Sequence, residues 1–155
     1  MCGFVDLDFA GALDKRRSTS CYVFTLVGGA ISWMSKLQEM IALSTTEAKY
    51  IDASHACKGE IWLRGMLREI GRLQNSVSVF CDSQSAIHLD TNHVYHSKTN
   101  YIDVKYHFVR TFIGEGGVYL KKVHTQENCA DMFIKPILLE KIRWCVASLS
   151  LKKKR

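Results

Sequence analysis

Residues 3–9, GFVDLDF, alternate apolar and acidic positions with the period of two expected of a strand that buries one face. Asp6 and Asp8 fall on one side of it, because strand neighbours two apart share a face. AGALDKRRSTS then reads as a loop. SCYVFTLVGGAISWMS predicts two strands joined at Gly28-Gly29, and LQEMIAL a further short extended stretch. Ser44-Thr45-Thr46-Glu47 is a helix start, with a hydroxyl cap and an acid in the first turn. That helix is expected to run to about Cys57 and break at Gly59. EIWLRGMLREI forms a second helix ending at Gly71. VSVFC is almost wholly apolar until Asp82 follows it, as in a strand in the middle of a covered sheet. SQSAIHLD predicts a helix, residues 92–101 a polar loop, and YIDVKYHFVRTFI an amphipathic helix. Gly114 to Gly117 turn into the strand VYLKKV. A last helical region spans about 126–149, interrupted at Lys135-Pro136. The pattern predicts one α/β domain over residues 1–150, a mixed five-stranded sheet flanked by α-helices, with a basic tail at 151–155.

Composition narrows the class. The chain has 155 residues, 47% of them hydrophobic, enough for one compact domain with a real core. Nowhere is there an uncharged apolar run of membrane-spanning length, and the first residues lack the form of a signal peptide. A soluble intracellular protein, cytoplasmic or nuclear and not secreted, is expected. The six cysteines, scattered with no C-x-x-C pair, are expected as buried free thiols. His93 and His96 form an H-x-x-H that no cysteine pair follows, and read as loop residues. Trp33, Trp62 and Trp144 lie in apolar periodic segments and are expected in the core.

The net charge of +6 is unevenly spread. Residues 1–91 carry nine Lys/Arg against ten Asp/Glu, and residues 92–155 twelve against five. A basic half beside an acid-bearing half suits a protein that holds a polyanion and performs metal chemistry on it.

The candidate acids are Asp6 in the first strand, Asp82 at the end of the apolar central strand, and Asp131 in the C-terminal helical region. Ligand sites in such sheets lie at strand carboxyl ends. Clustered carboxylates need a cation, and hard oxygen donors suit Mg²⁺ or Mn²⁺. Two such ions about 4 Å apart can activate water and stabilise a leaving oxygen in phosphodiester cleavage. On spacing alone, three aspartates are ordinary in a chain of this length and favour a structural role.

Seven blocks carry more specific information: GFVDLDFAG, LDKRRSTSCYVFTLVGGAISW, ALSTTEAKYI, KGEIWLRGML, FCDSQSAIHL, HSKTNYIDVKYHFVR and ENCADMFIKP. In order and spacing they resemble the ribonuclease H domain of copia-type LTR retrotransposon Pol polyproteins, over about residues 3–150. The resemblance implies an RNase H-like fold and metal-dependent cleavage of the RNA strand in RNA–DNA hybrids, with two Mg²⁺ or Mn²⁺ ions. It implies the hybrid as partner, together with the reverse transcriptase portion of the same polyprotein. The family's catalytic set is Asp-Glu-Asp-Asp, whose first, third and fourth members match Asp6, Asp82 and Asp131. The second lies in a block that commonly reads T-E-A-E-Y. Here the block is Thr46-Glu47-Ala48-Lys49-Tyr50, so Lys49 holds the position of the catalytic Glu. A cation there is expected to weaken catalysis. Asn100-Tyr101, Cys21 and Ile134 are further departures, and with a start on the first strand they read as a decaying genomic fragment.

The resemblance and the charge together give candidate substrate contacts. Lys15, Arg16 and Arg17, with Ser18 and Thr19, would touch phosphates and recognise hybrid shape rather than sequence. Ser83 and Gln84 stand where a helix start attracts anions. Lys98, Lys105, His107 and Arg110 form a candidate second basic surface, although most single Lys and Arg residues read better as solvated side chains. His124, seven residues before Asp131, is a candidate for proton transfer or an ordinary loop histidine. Three functions stay open: a hybrid ribonuclease, a nucleic-acid-binding remnant without cleavage, and an RNase H-like scaffold reused for protein interaction.

Overall fold

The computed structural model describes residues 1–12, 16–72, 75–82 and 100–151. The helix expected at SQSAIHLD, the polar loop with His93, His96 and Lys98, and the tail at 152–155 lie outside them. Five strands form one sheet: β1 (Cys2–Ala12), β2 (Arg17–Leu26), β3 (Gly29–Leu37), β4 (Val77–Cys81) and β5 (Val118–Lys122), in the order β3-β2-β1-β4-β5. β1–β2 and β2–β3 pair antiparallel, whereas β1–β4 and β4–β5 pair parallel. This is the mixed sheet expected, with the apolar VSVFC between two neighbours.

The hairpin turn sits one residue earlier than the Gly-Gly pair suggested. Leu26 pairs with Gly29, and Val27 (φ 52°) and Gly28 (φ 77°) are the two left-handed residues that a tight hairpin turn requires. Gly29 opens β3 instead. β3 ends at Leu37, so LQEMIAL adds no strand. Buried Gln38 stops it by donating its amide to Ser20 Oγ (2.8 Å) and to the Ala48 carbonyl (2.9 Å).

Three helices flank the sheet among the described residues: α1 (Thr45–Glu69), α2 (Asn100–Gly114) and α3 (Leu139–Ser148). Ser44 caps α1 by accepting from the Glu47 N–H (3.1 Å), and Glu47 Oε2 accepts from the Leu43 N–H (2.7 Å). α1 runs unbroken through Gly59. A Cβ there would stand 2.9 Å from the Tyr22 ring, so the glycine lets the helix close on β2. The expected C-terminal helical region divides into two 3₁₀ turns, Thr125–Glu127 and Cys129–Phe133, before α3 starts beyond Pro136.

Two cores lie on opposite sides of the sheet. Phe24, Tyr50, Leu63, Val79, Val109 and Val118 fill the space toward α1 and α2. Cys21, Val23, Cys129, Cys145 and Leu149 pack with the second 3₁₀ turn and α3. All six cysteines are free, and five of them are buried. The three tryptophans depart from expectation, since Trp33, Trp62 and Trp144 are all exposed. Trp33 is on the edge strand and Trp62 on the outer side of α1, positions whose apolar periodicity continues past the core. No described helix is long and apolar enough to cross a membrane.

Candidate active site

Asp6, Asp82 and Asp131 arrive from three separate elements. Asp6 lies within β1, which pairs on both sides, to β2 and to β4. β4 is apolar but for Ser78, and Asp82 is the first residue past its carboxyl end. Asp131 stands in the second 3₁₀ turn, which Asn128 fixes to β1. The fully buried Asn128 accepts from the Ala130 N–H (3.1 Å) and donates its amide to the Val5 carbonyl (2.9 Å), one residue before Asp6. Ligand atoms of the three aspartates all lie within 4.8 Å of one another.

The clamp makes a prediction. Asn128→Ala removes both bonds and leaves a buried carbonyl without its donor, which costs about 1–3 kcal/mol. Urea unfolding measures it, and a change below ~0.5 kcal/mol, the size of an ordinary surface substitution, would sink the clamp's importance.

Two of the acids are buried, Asp6 at 5% and Asp131 at 2% exposure, with Asp82 less so. Burial, reinforced by the hydrogen bond with Asp131, pushes the Asp6 carboxyl up to about 7, against the pull of Lys135. Burial also works against Asp131. The hydrogen bond from Asp6 and those from Lys141 and Lys135 outweigh it and hold that carboxyl below its ordinary value. The pair therefore holds one proton between them through the mildly acidic range. Lys135 Nζ stands 2.5 Å from Asp6 Oδ2 and 3.2 Å from Asp131 Oδ1, and Lys141 Nζ contacts Asp131 Oδ2. An ammonium thus occupies the place among the carboxylates where a cation is needed. The donor set fits a hard divalent ion: three carboxylates, closely spaced, two withdrawn from water.

Beside the acids opens a cavity of about 270 Å³, lined near its polar end by Asp6, Lys49, Asp52, Asp82 and Lys135, and deeper in by Val79 and Val109. Lys49 therefore does face this site from α1. Asp52, Lys135 and Lys141 were not singled out from the sequence. Asp52 lies three residues after Lys49, a spacing that keeps both near one helix face. Lys135 lies four after Asp131. Lys141 lies beyond a proline, where no periodicity reaches.

The expected substrate contacts are placed unevenly. Arg16 is exposed and Arg17 half-buried at the start of β2. Ser18 is corrected: it is 1% exposed, and its hydroxyl accepts from the Ala10 N–H (3.1 Å), because the bulged end of β1 closes over it. Thr19 is half-buried. Lys15, Ser83 and Gln84 lie outside the described residues. On α2, His107 and Arg110 are exposed, whereas Lys105 is turned inward and leaves the expected basic surface. His124 is exposed, and its Nδ1 accepts from the Gln126 N–H (3.2 Å), capping the first 3₁₀ turn.

No family model matches the chain. It is 48% identical over 143 residues to the retrovirus-related Pol polyprotein from transposon TNT 1-94 of Nicotiana tabacum, covering 92% of this chain and 11% of that protein. It is 34% identical over 135 residues to the corresponding polyprotein from transposon RE1 of Arabidopsis thaliana, covering 86% of the chain and 9% of that protein. The chain thus spans only about a tenth of the length of these relatives. Among solved structures, LC11-RNase H1 in complex with an RNA/DNA hybrid superposes with a TM-score of 0.61 at 15% identity, over 86% of this chain and 92% of that one.

Proposed function

The chain belongs to the retrovirus-related Pol polyproteins of transposons, as their RNase H-like domain, and we propose that it is built to cut the RNA strand of RNA–DNA hybrids with Mg²⁺ or Mn²⁺, at a rate reduced by Lys49. The observation that carries this reading is the convergence of Asp6, Asp82 and Asp131 from three elements into one cluster. These three would hold the metal. When bound, a pair of ions supplies an activated water and charge for the leaving oxygen.

The chain's own residues set the conditions for that chemistry. Asn128 fixes the height of Asp131 against β1. Lys135 and Lys141 keep the buried carboxylates charge-balanced. Arg16 and Arg17, with Lys15, would hold backbone phosphates at the β1–β2 end, where contacts select shape over sequence. Ser83 and Gln84 would meet the strand beside Asp82, and His124 would assist proton transfer. The reverse transcriptase portion of the same polyprotein is the natural partner, and the reaction places the domain inside the cell.

A second reading is favoured by Lys49 itself: a domain that binds hybrids and does not cut them. Cleavage and binding of an end-labelled hybrid, measured with Mn²⁺ for this protein and for Asp82→Asn, separate the two. The nuclease reading expects slow cleavage that falls by roughly a hundredfold or more in Asp82→Asn, with binding retained. Binding with no cleavage in either protein selects the second reading. Absence of both would favour a scaffold that has left nucleic acid behind.

A further inference from the structure

Position 49 lacks its carboxylate, yet α1 still delivers one to the cavity. Asp52 follows Lys49 by three residues, so the two side chains leave the helix about 60° apart and under one turn apart in height. Asp52 is 5% exposed and lines the same cavity as Asp6, Lys49 and Asp82. Burial holds its carboxyl well above the ordinary value, and the nearby Ser20 hydroxyl and Cys21 N–H oppose that rise. Cys21 is the residue of β2 that pairs across with Asp6. Asp52 thus lies beside the strand position that carries Asp6. One of its oxygens, Oδ1, is buried without a hydrogen-bond partner.

A buried carboxylate with an unpartnered oxygen, lining a cavity together with Asp6, Glu60 and Asp82, is what a metal ligand looks like before its ion arrives. Asp52 does not belong to the set whose ligand atoms lie within 4.8 Å of one another. It therefore does not duplicate that position. We propose that Asp52 Oδ1 is a ligand of a second divalent-cation position, shared with Asp6 on the α1 side of the cluster, and that it takes the part the family assigns to a carboxylate at position 49. This rests on the metal-dependent reading above. The other occupant of such an environment is a proton, which would make Asp52 a neutral structural acid.

Titration of the intact chain with Mn²⁺, following free Mn²⁺ by its paramagnetic resonance, tests the proposal without reference to cleavage. Asp52→Asn keeps the side chain's size and its acceptor toward Ser20 and Cys21, and melting in EDTA checks that it folds. The expected result is a loss of roughly tenfold or more in affinity at one Mn²⁺ position. In the same background Lys49→Glu should restore it, which a purely structural Asp52 would not allow. Mn²⁺ binding equal in this protein and Asp52→Asn overturns the role of Asp52 and leaves the metal-dependent reading standing. No Mn²⁺ binding by the unaltered protein overturns both. Should Asp52→Asn fail to fold, a Mn²⁺-soaked crystal of the unaltered protein decides. An ion about 2.1–2.2 Å from Asp52 Oδ1 supports the proposal, and ions bound only elsewhere refute it.

Discussion

Lys49→Glu is expected to raise the rate of hybrid cleavage by roughly a thousandfold. The side chain of position 49 lines the cavity that also receives Asp6 and Asp82. A cation there repels a divalent ion, and the repulsion between charges at about 4 Å is on the order of 4 kcal/mol even at an effective dielectric near 20. At about 1.4 kcal/mol per factor of ten, that converts to three decades in rate before any new metal–oxygen bond is counted. Glu47, the acid nearest to position 49 along the sequence, offers no relief. It is committed to the helix start, accepting from the Leu43 N–H at 2.7 Å, two residues and about 200° away around the helix from position 49. The measurement is a single-turnover rate on a labelled hybrid in Mg²⁺ and in Mn²⁺. The gain should appear in the maximal rate more than in hybrid affinity, because the residues proposed to hold phosphates at the β1–β2 end are untouched. Equal rates in the two proteins would show that Lys49 does not obstruct the chemistry.

Much of this arrangement was legible in the sequence where a local rule had no competitor. The alternation in GFVDLDF marks β1, and the almost wholly apolar VSVFC marks β4, because a strand covered on both faces has little room for polar side chains. Asp82 stood out as the first polar residue past that run. Elsewhere tertiary packing overrode the local rule. Gly59 reads as a helix breaker, but its missing side chain is used to admit Tyr22, so α1 continues. Ser18 reads as a loop hydroxyl, but the bulge between Asp8 and Ala12 folds the strand end over it. The three tryptophans follow the apolar period onto the surface. Asp52 and Lys135 were invisible for a different reason: their significance lies in what stands opposite them, and only the register of Asp6 with Cys21 and the fold of the Asn128 turn bring those partners near.

The same buried acids should make the metal-free domain more stable when one of them is removed. Asp6 is nearly inaccessible, and burial first, then its hydrogen bond with Asp131, raises its carboxyl from 3.8 to about 7. An acid whose value is higher in the folded state binds protons preferentially when folded. Its favourable contribution is complete below about pH 4 and is lost as pH rises toward 7. At pH 8 the protein therefore bears the cost of a buried ionised carboxylate, which Asp6→Asn does not. About three units at 1.36 kcal/mol each bound the effect near 4 kcal/mol. Lys135 loses one of its two carboxylate contacts in the variant, which reduces the net gain to on the order of 2–3 kcal/mol. Asp131, held low largely by its hydrogen-bonding partners once burial is overcome, contributes with the opposite sign: its stabilisation is present at neutral pH and falls away in acid. It is retained in both proteins, and the amide of Asp6→Asn can still donate to it in place of the Asp6 proton, so the difference between them chiefly reports Asp6. Urea unfolding in EDTA should find Asp6→Asn more stable at pH 8, with the gap closing toward pH 4. A variant less stable at pH 8 would mean that the Lys135 contact outweighs burial. Adding Mn²⁺ should reverse the order, since only the unaltered protein can recover the cost of its crowded acids by binding the ion. Stability withheld from the empty domain and returned on loading is what a site selected for metal, and not for the fold, would produce.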